Sequence, residues 1–432
     1  MNILSNANEP SGSHKVVLAI ALVAGLAELS YAVMNVSAMP VYLTRSMGYT
    51  TGSMTAIGAA FLLCEGLAKG PFGILGDRIG RKRLIIAGPL ISVITSLLTI
   101  FIHPSQWYFF VMLRVLDGLG AAALWPSALA MIADVIEEDK RSQAMSLFNV
   151  TYMIGIALGP LLGGAANDLT AFFTQQVPEQ IALHGGKFAA SHVQPLHLDP
   201  RQASFYVISV LFLITALVAA WRIPDIKPHH ERHPLDLENG FNFRSLVQSL
   251  KKAPAMLLMS FVTFFGVGMV MLIIKVYALD EFKITEVQFG ALLLPPCLVI
   301  ALASIPLGTL GDKIGRAKAV RIGIGVCALS LWGLILTSNP IALIIGGSMI
   351  GVGFVIAFPA WMAYISSSCE PGQRGAVMGA VGTAQGAGAI IGAPLGGFLY
   401  DQWHLLPFLG CASLLIIAWL IAMFYVREQT ST

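Results

Sequence analysis

Apolar runs of about twenty residues alternate with shorter polar breaks along almost the whole chain. A bilayer core about 30 Å thick takes roughly 20 apolar residues per helix. The runs predict twelve spans, at 16–40, 52–72, 84–103, 107–133, 143–166, 203–222, 255–278, 288–310, 320–338, 341–368, 373–399 and 405–426. The expected class is an all-α polytopic membrane protein. Two breaks are long. Residues 167–202 join the fifth and sixth spans, and 223–254 join the sixth and seventh. The second reads as a polar linker ending in an amphipathic stretch, FRSLVQSLKKAP. It divides the chain into a six-helix bundle (1–222, with the long outer loop), the linker (223–254) and a second six-helix bundle (255–432).

Charge sharpens this picture. Only 11% of residues are charged, against roughly 25% in a soluble domain, so lipid is the solvent that suits this surface. About 19 of the Lys and Arg residues fall in loops on the side of the termini and about 5 on the other, and positive loops stay inside. Both termini are therefore expected in the cytoplasm and 167–202 outside, in a multi-pass inner (cytoplasmic) membrane protein. No small-residue cleavage site follows the first run, which does not read as a signal peptide. Cys64, Cys297, Cys327, Cys369 and Cys411 have no paired spacing, which argues against disulfides and zinc. His184, His192 and His197 lie in the outer loop, and His229, His230 and His233 in the linker. Histidines in such polar loops are expected to be solvated, so no metal or cofactor is expected. No basic run suggests nucleic acid, and no nucleophile–base pair or phosphate loop suggests an enzyme.

The two halves repeat. GILGDRIGRKR (73–83) recurs as GTLGDKIGRAK (308–318), and RSQAM from Arg141 as RGAVM from Arg374. Trp125-Pro126 recurs as Phe358-Pro359, and GIALGPLLGG (155–164) as GAIIGAPLGG (388–397). The offset stays at 233–235 throughout. One offset for four motifs is the mark of an internal duplication.

The repeated G-x-x-x-D-[RK]-x-G-[RK]-x-[RK] loop resembles the signature of the major facilitator superfamily, and the resemblance runs in order over the whole chain. It implies twelve helices in two pseudo-symmetric six-helix bundles working by alternating access. It also implies a cytoplasmic latch of Gly73, Asp77, Arg78, Gly80 and Arg81, with Asp134 and Arg141 beside it. Gly308, Asp312, Lys313, Gly315 and Arg316 would form its pseudo-symmetric partner. Gly73 and Gly80 are expected where backbone bends or approaches closely, and Asp77 at a helix start. Gly155, Gly159, Pro160, Gly163 and Gly164 resemble the antiporter motif of twelve-helix drug:proton exchangers. Small residues four apart let helix backbones touch, Pro160 permits a bend, and this helix is expected to pack against the other half.

Charges inside the spans carry the candidate chemistry. Arg114, in RVLDGLGAA, resembles the family's R-x-x-Q-G motif with Asp117 in place of the amide. An arginine in lipid is costly unless paired, and Asp117, three residues on, shares its helix face. The pair reads either as structural or as a proton-coupling or carboxylate-binding site. The second half has Gly347 and Ile350 there. Glu28 and Glu65 fall roughly 18 Å and 12 Å deep at 1.5 Å per residue, where an acid defaults to function; both are candidate proton carriers. Lys69, one turn after Glu65, either pairs with it or snorkels outward. Spans seven to twelve hold almost no charge besides Lys275. The second half is therefore expected to give an apolar cavity wall from Phe264, Phe265, Phe354, Phe358, Trp361 and Tyr364, residues that equally suit core or lipid packing. Tyr31, Asn35 and Trp125 complete the cavity candidates. The resemblance implies proton-coupled export of small amphipathic organic compounds. Uptake of an organic anion held by Arg114, lysolipid transport, or a non-transporting receptor or scaffold remain as alternatives. The expected partners are a small-molecule substrate, protons and the lipid bilayer, with the monomer as the working unit.

Overall fold

The computed structural model describes residues 13–136, 141–176, 199–225, 254–308, 310–337, 339–367 and 374–426. Among them are twelve long helices and no strand. Helix α1 (13–46) is α-helical over Ser13–Ala32 and widens into π turns at Val33–Ala38 and Tyr42–Ser46. There follow α2 (Thr51–Ile79), α3 (Arg81–Thr99), α4 (Trp107–Val135), α5 (Arg141–Ala171) and α6 (Ala203–Arg222). In the second half, α7 comes in two pieces, Pro254–Met271 and Ile274–Phe282. Then come α8 (Glu286–Gly308), α9 (Arg316–Ile335), α10 (Pro340–Ser367), α11 (Arg374–Gln402) and α12 (Leu406–Tyr425). Eleven of these are long and apolar enough to cross a membrane by length and composition. The remaining one, α11, has the length but is diluted by glycine.

Glycine placement explains the packing. A Cβ at Gly155 would lie 2.7 Å from the Leu29 amide, and Gly159 and Gly163 meet Ala32 and Ser37 just as closely, so α5 seats α1. Their counterparts Gly388, Gly392 and Gly396 seat α7 on α11 at Phe261, Phe265 and Met269. The fourth glycine of each set turns to the other half: Gly164 meets Glu286 and Val287 of α8, and Gly397 meets Thr51 and Thr55 of α2. The antiporter-motif helix thus packs on two sides: against α1 of its own half through Gly155, Gly159 and Gly163, and, as expected, along α8 of the other half through Gly164, the Pro160–Leu161 backbone that faces Gly290, and the side chains of Asn167 and Asp168.

The end of α2 differs from expectation. Helix α2 continues past 72 to Ile79 because glycine ends a helix only where φ turns positive; Gly80 has φ +99° and its counterpart Gly315 has +100°. Gly73 stays inside α2 with nothing within 4 Å, so the bend rests on Gly80 alone. Asp77 consequently lies in the last turn of α2 rather than at a helix start. The linker from 226 to 253 with His229, His230 and His233, the outer loop from 177 to 198 with His184, His192 and His197, and Cys369 lie outside the described residues, as do the side chains of Arg141 and Asp312.

The face holding the start of α1 and the end of α12 is here the terminal face; the opposite one is the far face. Near the far face α2 touches α11. Toward the terminal face Gly66, Gly70 and Gly73 of α2, and Gly379, Gly382 and Gly386 of α11, have nothing within 4 Å. The halves meet at one end and part toward the other.

Candidate substrate and coupling site

Helix α4 buries Arg114 and Asp117, one turn apart, at 2% and 1% exposure. They form an ion pair. Asp117 also accepts a hydrogen bond from the Thr95 hydroxyl of α3. Arg114 Nη1 donates to Asn35 Oδ1 at 2.8 Å, and the guanidinium lies 5.5 Å from the Phe61 ring centroid, within cation–π range. Asn35 belongs to the first π turn of α1, a distortion that accompanies functional sites. A buried pair of this kind does not stabilise by its mere presence, but losing one partner costs about 3–5 kcal/mol.

Glu28 sits beside this network with a different partner. The Tyr152 hydroxyl of α5 donates to its carboxylate, and Tyr152 packs edge-on against Trp125 at 5.3 Å. Among the described residues no cation forms an ion pair with Glu28. Glu65 pairs with Lys69 at 2.8 Å, and the Lys69 head is half exposed. A cavity of about 140 Å³ brings these groups together: Glu28, Tyr31, Asn35, Phe61, Glu65, Arg114, Trp125 and Tyr152 line it from the first half, and Met271 and Leu272 from the break in α7.

The aromatic wall expected from the second half stands elsewhere. Phe264 packs on Phe358, which stacks with the half-exposed Phe354. Phe265 stacks with Phe261. Trp361 donates to Ser260 Oγ at 3.1 Å and stacks with Tyr364 inside the core. None of these lines the cavity; its aromatics are Tyr31, Phe61, Trp125 and Tyr152 of the first half. Phe61 and Tyr152 carry no distinguishing signal in the sequence, where they look like any other aromatic in an apolar helix.

Signature-loop residues gather at the terminal face within the first half. Arg81, 6% exposed, holds Asp77 at 2.9 Å and also pairs with Asp134 at the end of α4. Arg78 and Lys313 are exposed. In the second half Arg316 donates to the Ala363 carbonyl at 3.2 Å, and Gly308 ends α8.

At the far face the halves are joined by polar contacts. Lys275, 1% exposed, binds Glu286 at 2.6 Å and also donates to the Ser37 hydroxyl and carbonyl at 2.7 and 3.0 Å. Asn167 of α5 donates to the same carboxylate at 3.1 Å. Arg45 pairs with Asp280. Asp168 accepts from the Val287 amide in the first turn of α8 at 3.1 Å. Asp401 accepts from the Thr51 and Gly52 amides, the first turn of α2, at 2.8 and 2.7 Å. A carboxylate there satisfies helix-end amides and faces the positive end of the dipole. Asp168 and Asp401 stand at the repeat offset, so the duplication itself marks them in the sequence.

The profile of the Major Facilitator Superfamily matches residues 20–267 and 256–432. Multidrug resistance protein 2 of Bacillus subtilis (strain 168) is 24% identical over 399 residues, covering 90% of this chain and 90% of that protein. Methyl viologen resistance protein SmvA of Salmonella typhimurium (strain LT2) is 28% identical over 367 residues, covering 77% of this chain and 72% of that protein. Among solved structures, a bacterial homolog to the human lysosomal transporter Spinster, in its inward-facing and unoccupied conformation, matches with a TM-score of 0.75 at 14% identity, covering 98% of this chain and all of that one.

Proposed function

The chain belongs to the major facilitator superfamily of membrane transporters, and on that premise we propose that it exports small amphipathic organic compounds, cationic ones above all, in exchange for protons. The observation that carries this reading is the charge balance of the cavity. Asp117 pairs with Arg114 and Lys69 with Glu65, which leaves the Glu28 carboxyl, hydrogen-bonded by Tyr152, as the cavity acid that forms no ion pair among the described residues. A proton or an organic cation satisfies that carboxyl, but not both together. Reciprocal linkage then makes each weaken the other's binding. The same balance disfavours uptake of an organic anion, since Arg114 already holds a carboxylate.

The excess of basic residues in the loops of the terminal face supports a cytoplasmic side for it on the positive-inside rule, and with that orientation the described state opens to the cytoplasm. In the reading proposed here, the cation enters from that side as the Glu28 proton leaves to it. The bundles then rock, the far-face contacts break, and a proton from outside displaces the cation. The names of the drug-resistance relatives agree with export. The experiment is uptake of a labelled organic cation into everted membrane vesicles with an imposed pH gradient. Uptake should follow the gradient and collapse when a protonophore dissipates it. Uptake that is indifferent to the gradient would overturn proton exchange.

A further inference from the structure

The place where the first half keeps its buried charges has a counterpart in the second half, and there the protein is hollow. At the repeat offset Arg114 corresponds to Gly347 and Asp117 to Ile350. Ser96 and Thr99 of α3, next to that network, correspond to Leu331 and Leu334 of α9. These four second-half residues line a partly open apolar chamber of about 390 Å³ bordered by α7, α8, α9, α10 and α12, with Val36 of α1. The first half fills its version of this space with an ion pair and hydroxyls. The second half offers carbon surfaces around a void. Water gains little there, because a buried water needs two to four polar partners.

The chamber adjoins the substrate cavity. Met271 lines both, at the point where α7 breaks between Met271 and Ile274. On the opposite side, the first π turn of α1 presents Asn35 to the cavity and the next residue, Val36, to the chamber. Interrupted helices facing one another near mid-membrane are where carriers of this architecture bind what they move. A methylene fills about the volume of one liquid water, about 30 Å³, so the chamber has room for a chain of about a dozen carbons.

We propose that the substrate site is bipartite: the cavity of the first half takes a cationic head, and the chamber of the second half takes the single alkyl tail of the same molecule. This rests on the export of cations proposed above and names their class as single-chain amphiphiles. The head meets Glu28 and Asn35, the tail passes Met271, and the two halves of the duplication divide the two ends of one ligand between them.

The test is a series of n-alkyltrimethylammonium ions, butyl to dodecyl, bound to the purified full chain in lipid nanodiscs and followed by quenching of tryptophan fluorescence. Each added methylene should tighten Kd by about fourfold until the chamber is full. Gly347→Leu, which places a side chain into the chamber, should flatten that slope, and Ile350→Phe should do the same if Gly347→Leu folds poorly. Since the slope is what is read, a uniform loss of folded protein or of head binding cancels. A slope that survives both substitutions, or a flat slope in the unchanged protein, overturns the assignment. A slope that appears only after bilayer lipid is stripped overturns it too, because a lipid chain then owns the chamber. Failure of proton exchange shows separately, as gradient-independent transport with the slope intact.

Discussion

In the first half α4 buries Arg114 and Asp117 against α3 and α1, and Glu28 and Glu65 face the same space. In the second half the matching positions are Gly347 and Ile350 around an apolar chamber. The frame around these two interiors has not diverged. Gly155, Gly159, Gly163 and Gly164 answer Gly388, Gly392, Gly396 and Gly397; Gly80 answers Gly315; Asp168 answers Asp401. The difference has a physical origin. At the helix-contact glycines an added carbon would lie 2.0–2.7 Å from an atom of the neighbouring helix, and Gly80 and Gly315 take a positive φ, so both copies are held to glycine. The interior positions touch side chains, which repack. On the proton exchange proposed above, two equivalent frames would let the bundles rock symmetrically, and one set of ionisable groups would suffice to couple the motion.

If that division of labour is right, removing the acid from the first half should have the largest effect. Glu28→Gln is expected to abolish transport driven by a pH gradient while substrate binding stays measurable. Glu65→Gln should cost less, because its partner Lys69 reaches water. Everted vesicles carrying Glu28→Gln with unchanged gradient dependence would move the coupling role to Asp117 with Arg114.

A smaller effect should separate structure from coupling at the buried pair. Arg114→Leu leaves Asp117 charged and unpaired, which costs about 3–5 kcal/mol. Thermal unfolding in detergent should therefore show a marked loss, and the double change Arg114→Leu with Asp117→Leu should recover most of it. A double variant as unstable as the single one would mean that the hydrogen bonds from Asn35 and Thr95, rather than the charges, hold this region.

The smallest effect tests the frame itself. Asp168→Ala and Asp401→Ala each remove hydrogen bonds to a charged acceptor, worth about 1.5–3 kcal/mol, so each should shift the balance toward far-face opening by about tenfold. Distances between spin labels across the far face would measure it. The two substitutions should act alike. Opening by one and not by the other would show that the closure is as asymmetric as the interior.

The sequence revealed the twelve helices because lipid tolerates so few polar residues that each break stands out. It revealed Arg114–Asp117 and Glu65–Lys69 because both are local pairs on one helix face. It did not reveal Tyr152 beside Glu28, which lies on another helix, where spacing along the chain says nothing about distance. The same limit applies to the aromatic wall expected from the second half, whose candidates Phe358 and Trp361 do not line the cavity of about 140 Å³. Hydropathy marks Phe358 and Trp361 as membrane residues, but not whether they face a neighbouring helix, lipid or a cavity. The glycines of 155–164 announced close packing without naming the neighbour, and three of the four meet α1 rather than the second half.

The two helix caps at the far face also describe an ancestry in the language of assemblies. Asp168 of one half reaches the first turn of α8 in the other, and Asp401 reaches back to the first turn of α2. Patch i meets patch j, and j meets i, which is an isologous two-fold contact. Each half carries both the acid and the helix start that receives it. A lone six-helix half would therefore be complementary to a second copy of itself, and two unlinked copies would close the far face through the same pair of caps.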